Sequence, residues 1–187
     1  MEYFDICDSS GQPTGEIISR EEAHKKGVPH RTAHVWIVRS SQNGPEILLQ
    51  KRSSNKDSFP GLYDTSSAGH IPAGSESLAS ALRELEEELG ITASPDQLTF
   101  IGVFRIRFEK VFHDRLFCDN EFANVYVYQD PVDISKLTLQ ESEVEEVRWF
   151  PLEEVYLEIQ TSHDRFCVTK EGLVLLRDYL QAQSVTP

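Results

Sequence analysis

The sequence predicts an α+β sandwich in which helices flank a β-sheet, and three observations carry that expectation. Segments with the two-residue apolar alternation of strands occupy both halves of the chain. They are interrupted by one acid-rich helical stretch, Glu76 to Leu89, in which Leu78, Leu82, Leu85 and Leu89 fall at offsets of four, seven and eleven and so share an apolar stripe. The chain then finishes on a second helical stretch, Lys170 to Gln181, with Leu173, Leu176 and Leu180 on one face. Strands interrupted and closed by amphipathic helices suit helices packed on a sheet. At 187 residues and 39% apolar content the chain is long enough for one well-buried domain and short for two, so 1–187 is read as one domain.

Taken in order, Tyr3 to Cys7 and Gly15 to Ile18 read as two short strands around the turn Asp8-Ser9-Ser10-Gly11. With the polar helical turn Arg20 to Lys26, ended by Gly27, this edge hairpin makes an N-terminal extension over 1–29. His30 to Arg39 alternates into a strand, and Glu46 to Arg52, carrying Ile47-Leu48-Leu49, is its partner across a loop at Ser40 to Pro45. Ser53 to Tyr63 is rich in Ser, Asn, Asp, Pro and Gly without periodicity, which marks a loop. It leads into Asp64 to His70, a strand of small residues that lets backbone and ligand approach closely. Beyond the acid-rich helix, Leu98 to Phe108 and Phe122 to Tyr128 read as strands separated by a long hairpin tip, Phe112 to Asn120. The second of these alternates less cleanly than a half-buried strand should. Val144 to Phe150 is a further strand closed by Pro151, and Leu152 to Ile159 a helix whose Glu153 and Glu154 favour its dipole. Trp36, Phe59, Tyr63, Phe104 and Phe108 could stack a base or line an apolar pocket, although side chains at strand spacing are more often core.

A formal charge of −13 argues against a nucleic-acid polymer or an anionic membrane as partner, since both are bound through clustered Lys and Arg. No stretch reaches membrane-spanning length, and the N-terminus lacks the basic-then-apolar pattern of an export signal. Cys7, Cys118 and Cys167 are odd in number and form no CxxC pair, which fits a reducing cytoplasm and small buried side chains.

The acid-rich helix has marked ends: Gly74-Ser75 supplies turn chemistry with Ser75 as a candidate N-cap, and Gly90 stands where a left-handed residue commonly closes a helix. Glu84, Glu87 and Glu88 stand at i, i+3 and i+4, so their carboxylates share one face. Crowded carboxylates stay ionised together only with a cation among them, and an all-oxygen cluster suits a hard divalent ion such as magnesium. The bland alternative is a solvated acidic face. Two features weigh against it: Arg83 lies i, i+4 from Glu87, placed to orient a carboxylate, and a Gly-rich loop precedes the helix.

Gly69 followed at fixed spacing by Arg83-Glu84-Leu85-Glu86-Glu87-Glu88-Leu89-Gly90-Ile91 resembles the signature box of the Nudix family, read as Gly, five residues, Glu, seven residues, Arg-Glu-apolar-any-Glu-Glu-any-Gly-apolar. One position departs: the isolated glutamate of the pattern falls on Ser75, with Glu76 one residue late. The resemblance covers roughly 30–160 and implies an α/β/α sandwich on a mixed sheet, a small-molecule diphosphate substrate and a magnesium cofactor with manganese as substitute. Dimers are common in that family. The implied reaction is attack of water on a diphosphate phosphorus. Glu84 would orient or deprotonate the water, Glu87 and Glu88 would hold metal, the Gly69 carbonyl would complete the coordination, and Arg83 would brace the carboxylates. A remote carboxylate often assists, with Glu121 and Glu143 as candidates.

A finer resemblance lies outside the box. Gly27 to Trp36, Leu49 to Ser53, Phe59-Pro60-Gly61 and Ser67-Ala68-Gly69-His70 are similar to the Nudix branch that includes isopentenyl diphosphate isomerase. The place of that enzyme's catalytic cysteine is taken by Ala68, and a methyl group cannot transfer a proton. The isomerase's box is degenerate, whereas Glu84, Glu87 and Glu88 are all present. Both differences favour hydrolysis of a nucleoside diphosphate derivative or an isoprenoid diphosphate. An isomerase-like enzyme and a non-catalytic module that senses a phosphorylated ligand are the alternatives. In the same branch His24, His30 and His70, with Glu121, fall near positions that gather a second metal, for which zinc or manganese would suit; hydrogen-bonded structural histidines are the other reading. Arg52 and Lys56 match diphosphate-contacting positions of the branch.

Overall fold

The computed structural model describes residues 2–162 and 164–185; residues 1, 163, 186 and 187, which the expected domain also includes, lie outside the described residues. β1 (Tyr3–Cys7) and β2 (Pro13–Ser19) form the expected N-terminal hairpin. α1 (Arg20–Lys26) follows, with the Ser19 hydroxyl accepting from the Glu22 N–H at its start and Gly27 at φ 63° at its end.

Among the described residues seven strands then build one mixed sheet: β3 (His30–Ser41), β4 (Gly44–Arg52), β5 (Tyr63–Asp64), β6 (Ser67–His70), β7 (Leu98–Phe112), β8 (Arg115–Tyr128) and β9 (Val144–Pro151). β3 is its centre, parallel to β8 on one side and antiparallel on the other, to β4 along Ile37–Ser41 and to β6 along Thr32–Val35. The parallel β3·β8 pair makes the sheet mixed, as expected.

Alternation along the strands sends side chains to two cores. Val35, Ile37, Leu48 and Tyr126 pack with Leu85 and Leu89 of α2 (Ser77–Leu89). Trp36, Val38, Ile47, Leu49 and Val127 pack with α3 (Leu152–Glu158) and α4 (Lys170–Val185) through Val155, Leu173 and Leu176. The sheet is thus sandwiched between helices. The unclean alternation of β8 has the same cause: Val125, Tyr126, Val127 and Tyr128 are all buried, because a strand covered on both faces needs apolar residues at every position.

Three local expectations are corrected. Phe112 to Asn120 is not a hairpin tip; β7 and β8 pair in one register from Gly102↔Val125 to Phe112↔Arg115, and the turn is His113-Asp114 alone, at φ 49° and 61°. Aspartate tolerates the left-handed conformation, so the turn forms without the glycine that would have announced it. Asp64 to His70 is two strands, because the chain crosses from the edge of β4 to that of β3; Ser66 sits in the crossing and accepts from the Ile37 N–H at 2.7 Å. The N-cap of α2 is Glu76, without a side-chain bond, rather than Ser75. At the other end Gly90, φ 70°, closes the helix as the sequence predicts, its N–H bonded to the Leu85 and Glu86 carbonyls.

Candidate active site and metal centre

A cleft of ≈ 260 Å³ opens between α2, the end of the sheet and the Ser53 to Tyr63 loop, and the three helical glutamates line it with Gly69. Glu84 packs its carboxylate directly on the Gly69 backbone: a Cβ built at position 69 would lie 2.1 Å from the Glu84 carboxyl carbon. Glycine is needed here for space. Gly69→Ala is therefore expected to displace Glu84 and cost roughly 1–3 kcal/mol of stability, with at least about a tenfold loss of kcat for a misplaced group at a reacting centre. Thermal melting and steady-state kinetics on one preparation check both.

Arg83 ties the group together, donating from Nη1 to Glu87 Oε2 at 2.8 Å and contacting Glu84 Oε1 at 2.6 Å through Nη2, which also donates to the His70 carbonyl at 3.2 Å. Glu88 is buried and accepts from the Ala68 N–H at 3.1 Å and the Gln50 amide at 3.2 Å. Burial pushes its carboxyl up to about 8, with the Ser67 hydroxyl opposing and Glu84 adding to the rise. Burial also raises Glu84, against the pull of Arg83. A buried carboxyl and a half-buried one, both raised by burial, with a third beside them on the same helix, are a donor set that fits a hard divalent cation.

A second cluster lies across Gly69-His70. One ligand atom each from His24, His30, His70 and Glu121 falls within 4.8 Å of every other. The Nδ1 atoms of His24 and His30 stand 3.0 and 2.9 Å from the Arg20 and Val28 carbonyls, which assigns the proton to Nδ1 and turns the Nε2 lone pairs into the cluster. There His24 Nε2 lies 3.3 Å from His70 Nε2, and His70 Nε2 3.4 Å from Glu121 Oε1. His30 Nε2, buried and 3.7 Å from Glu121 Oε1, has no hydrogen-bond partner among the described residues, and neither has Asp119 Oδ1, 3.9 Å from His24 Nε2. Burial holds His24 down to about 3 and lowers His70, so both imidazoles are neutral, the form that ligates. Asp119, beside Glu121, is pushed up to about 9 by burial first and then by that carboxylate. Orphaned lone pairs converging in one largely buried cluster fit a borderline cation better than they fit a set of structural histidines.

The remaining expected residues also reach the cleft. Arg52 is held by Asp64 at 3.0 Å and by the Ser58 carbonyl at 2.9 Å, and Lys56 is ion-paired with Glu143, so both cations stand at the cleft with their charge already matched. Glu121, a candidate partner of the helical glutamates, stands with the imidazoles.

Sequence reasoning missed Asp119, Phe4 and His34. Asp119 and Glu121 alternate onto one face of β8, a signal hidden once 112–120 was read as a loop. Phe4 is fully buried and stacks on His30 and His70 with ring centroids 4.7 and 4.5 Å apart, walling the cluster from behind; no local pattern announces that contact. His34 lines the cleft opposite Ala68 in the β3·β6 register.

The NUDIX domain family model matches residues 28–170. Nudix hydrolase 3 of Arabidopsis thaliana is 47% identical over 156 residues, 82% of this chain and 20% of the plant protein, so the chain spans about a fifth of that relative's length. A protein named isopentenyl-diphosphate Delta-isomerase in Dinoroseobacter shibae is 30% identical over 165 residues, 85% of this chain and 82% of the relative. In fold, a Deinococcus radiodurans crystal structure superposes with a TM-score of 0.70 at 18% identity, covering 95% of this chain and 99% of the other.

Proposed function

This chain belongs to the Nudix family, and from that membership we propose that it acts as a single-domain, magnesium-dependent pyrophosphohydrolase. Its substrate would be a nucleoside diphosphate derivative or an isoprenoid diphosphate. The observation that carries the reading is Arg83 bridging Glu84 and Glu87, with Glu84 seated on Gly69 and Glu88 buried beside them in one cleft. Glu84, Glu87, Glu88 and the Gly69 carbonyl would hold magnesium, with manganese as substitute, and the ion would supply neutralisation of phosphate charge and a more acidic attacking water. Glu84 accepts the proton of the attacking water, and Arg83 keeps its carboxylate aimed there. Arg52 and Lys56 hold the phosphates, Lys56 exchanging its pairing with Glu143 for the substrate. The histidine cluster would take zinc or manganese and brace β3, β6, β8 and α1 around the cleft. The free thiols Cys7, Cys118 and Cys167 suit a reducing compartment such as the cytoplasm.

A second reading, an isomerase-like enzyme, is favoured by the imidazole cluster around Glu121 and opposed by Ala68, which has no proton to give. Phosphate release from a panel of nucleotide and isoprenoid diphosphates, with magnesium, manganese or chelator, separates them. Metal-dependent cleavage of one class is the expected result. Isomer interconversion seen by NMR would favour the second reading, and tight binding without turnover would indicate a sensing module.

A further inference from the structure

We propose that two copies of this chain associate edge to edge through β7, antiparallel, in the one register that sets Phe108 opposite Phe108. β7 ends the strand order of the main sheet and among the described residues pairs with β8 alone, so its outer edge offers unpaired backbone groups along a strand of 15 residues.

Which residues face outward follows from the turn. His113 and Asp114, both left-handed, make a two-residue turn, and such turns close on a hydrogen-bonded pair, here Phe112 and Arg115. The ladder runs back to Gly102 without a register shift. Alternation therefore points the backbone groups of Phe112, Lys110, Phe108, Ile106 and Phe104 at β8, and those of Val111, Glu109, Arg107, Arg105 and Val103 at the open edge.

Charge then selects the occupant and the register. Sliding β7 against an antiparallel copy of itself opposes outward residues in steps of two. Centring on Arg105, Arg107 or Glu109 sets that charge against itself, and centring on Ile106 sets Arg105 against Arg107. Centring on Phe108 places Arg107 across from Glu109 twice, with no like charges opposed within the strand. This self-complementarity is what an isologous interface requires.

In the same register Phe104 meets Phe112, and pairing covers Val103 and Val111, 49% and 61% exposed in the isolated chain. The turn of the second copy ends beside Val103, at the mouth of a groove of ≈ 380 Å³ lined by Val103, Phe104, Val174 and Leu175. Lys110 lies on the cleft side of the hairpin, its Nζ 4.8 Å from the Phe59 ring centre, and pairing sets it opposite the second copy's Ile106, which lines that copy's cleft. Each copy thereby brings a cation to the rim of the other's site.

Sedimentation velocity of the full chain over a dilution series tests this. The expected result is a dimer whose dissociation constant rises roughly 10- to 30-fold in Arg107→Glu, where two carboxylate pairs replace two ion pairs. The double variant Arg107→Glu/Glu109→Arg is expected to restore the dimer, which a role of Arg107 within its own chain would not produce. Phe108→Cys is expected to give a covalent dimer on mild oxidation that the unaltered chain does not form, since a non-hydrogen-bonded antiparallel pair brings the two Cα atoms within disulfide range. A chain that sediments as a monomer throughout, or a dimer indifferent to Arg107→Glu, overturns the proposal.

Discussion

Replacing Glu88 by Gln is expected to lower metal-dependent diphosphate turnover by roughly two to four orders of magnitude, the range for a group acting directly in the chemistry, and to leave the fold intact. The exchange is nearly isosteric, and Gln can still accept from the Ala68 N–H, so the loss would report the missing charge rather than a collapsed site. Glu87→Gln is expected to behave alike in kcat, although its exposed side chain leaves stability untouched. Steady-state rates over a magnesium titration, with circular dichroism on the same samples, decide the matter; unaltered rates in both variants would remove the carboxylates from the proposed mechanism.

The same residue carries a pH prediction for the metal-free protein. In chelator, folded Glu88 titrates at about 8 against an unfolded value of 4.5. Between those pH values the unfolded chain is ionised and the folded one protonated, so wild-type stability falls as pH rises through the window. Gln does not titrate, so the stability of Glu88→Gln relative to wild type is expected to increase steadily from pH 4.5 to 8. Saturating magnesium, by favouring the ionised carboxylate, should flatten the wild-type dependence. Urea unfolding across that range measures it, and a pH-independent difference between the proteins would contradict the buried, uncompensated carboxyl.

The second large effect concerns the imidazole cluster. Zinc or manganese at about a hundredfold excess over its dissociation constant should stabilise the fold by about 2.7 kcal/mol, equivalent to a rise in Tm of roughly 5–11 °C for a chain of this size. His24→Ala is expected to abolish most of that rise, and Asp119→Asn to reduce it. Glu88→Gln should keep it, because the helical carboxylates and the histidines would hold separate ions. Calorimetric titration above neutral pH, with metal content measured on the purified proteins, distinguishes this from a loss of folding. An unshifted wild-type Tm with either metal would return His24, His30 and His70 to a purely structural role.

What was legible in the sequence and what was not follow one physical line. The acid-rich helix, its apolar stripe, its Gly90 stop and the reach of Arg83 to Glu87 were readable because each depends on residues within a turn or two, where the helical period fixes who meets whom. Gly69 at its distance from Glu84 was readable as a motif, but the reason for the glycine, a carboxylate resting on its backbone, appears only when β6 and α2 are brought together. The sheet's mixed character was expected; its order was not, since β3 meets β8 across some ninety residues and strand pairing is set by burial on both faces rather than by neighbours in the chain. The fold alone shows that Asp119 joins Glu121, that Phe4 seals the histidines from a hairpin outside the family segment, and that Lys56 waits on Glu143. The sequence by itself determined the helical face that carries Glu84, Glu87 and Glu88, whose geometry is local. Tertiary structure decided the imidazole cluster and the open β7 edge, because both exist only where separate strands converge and their backbone and side-chain groups must find partners away from water.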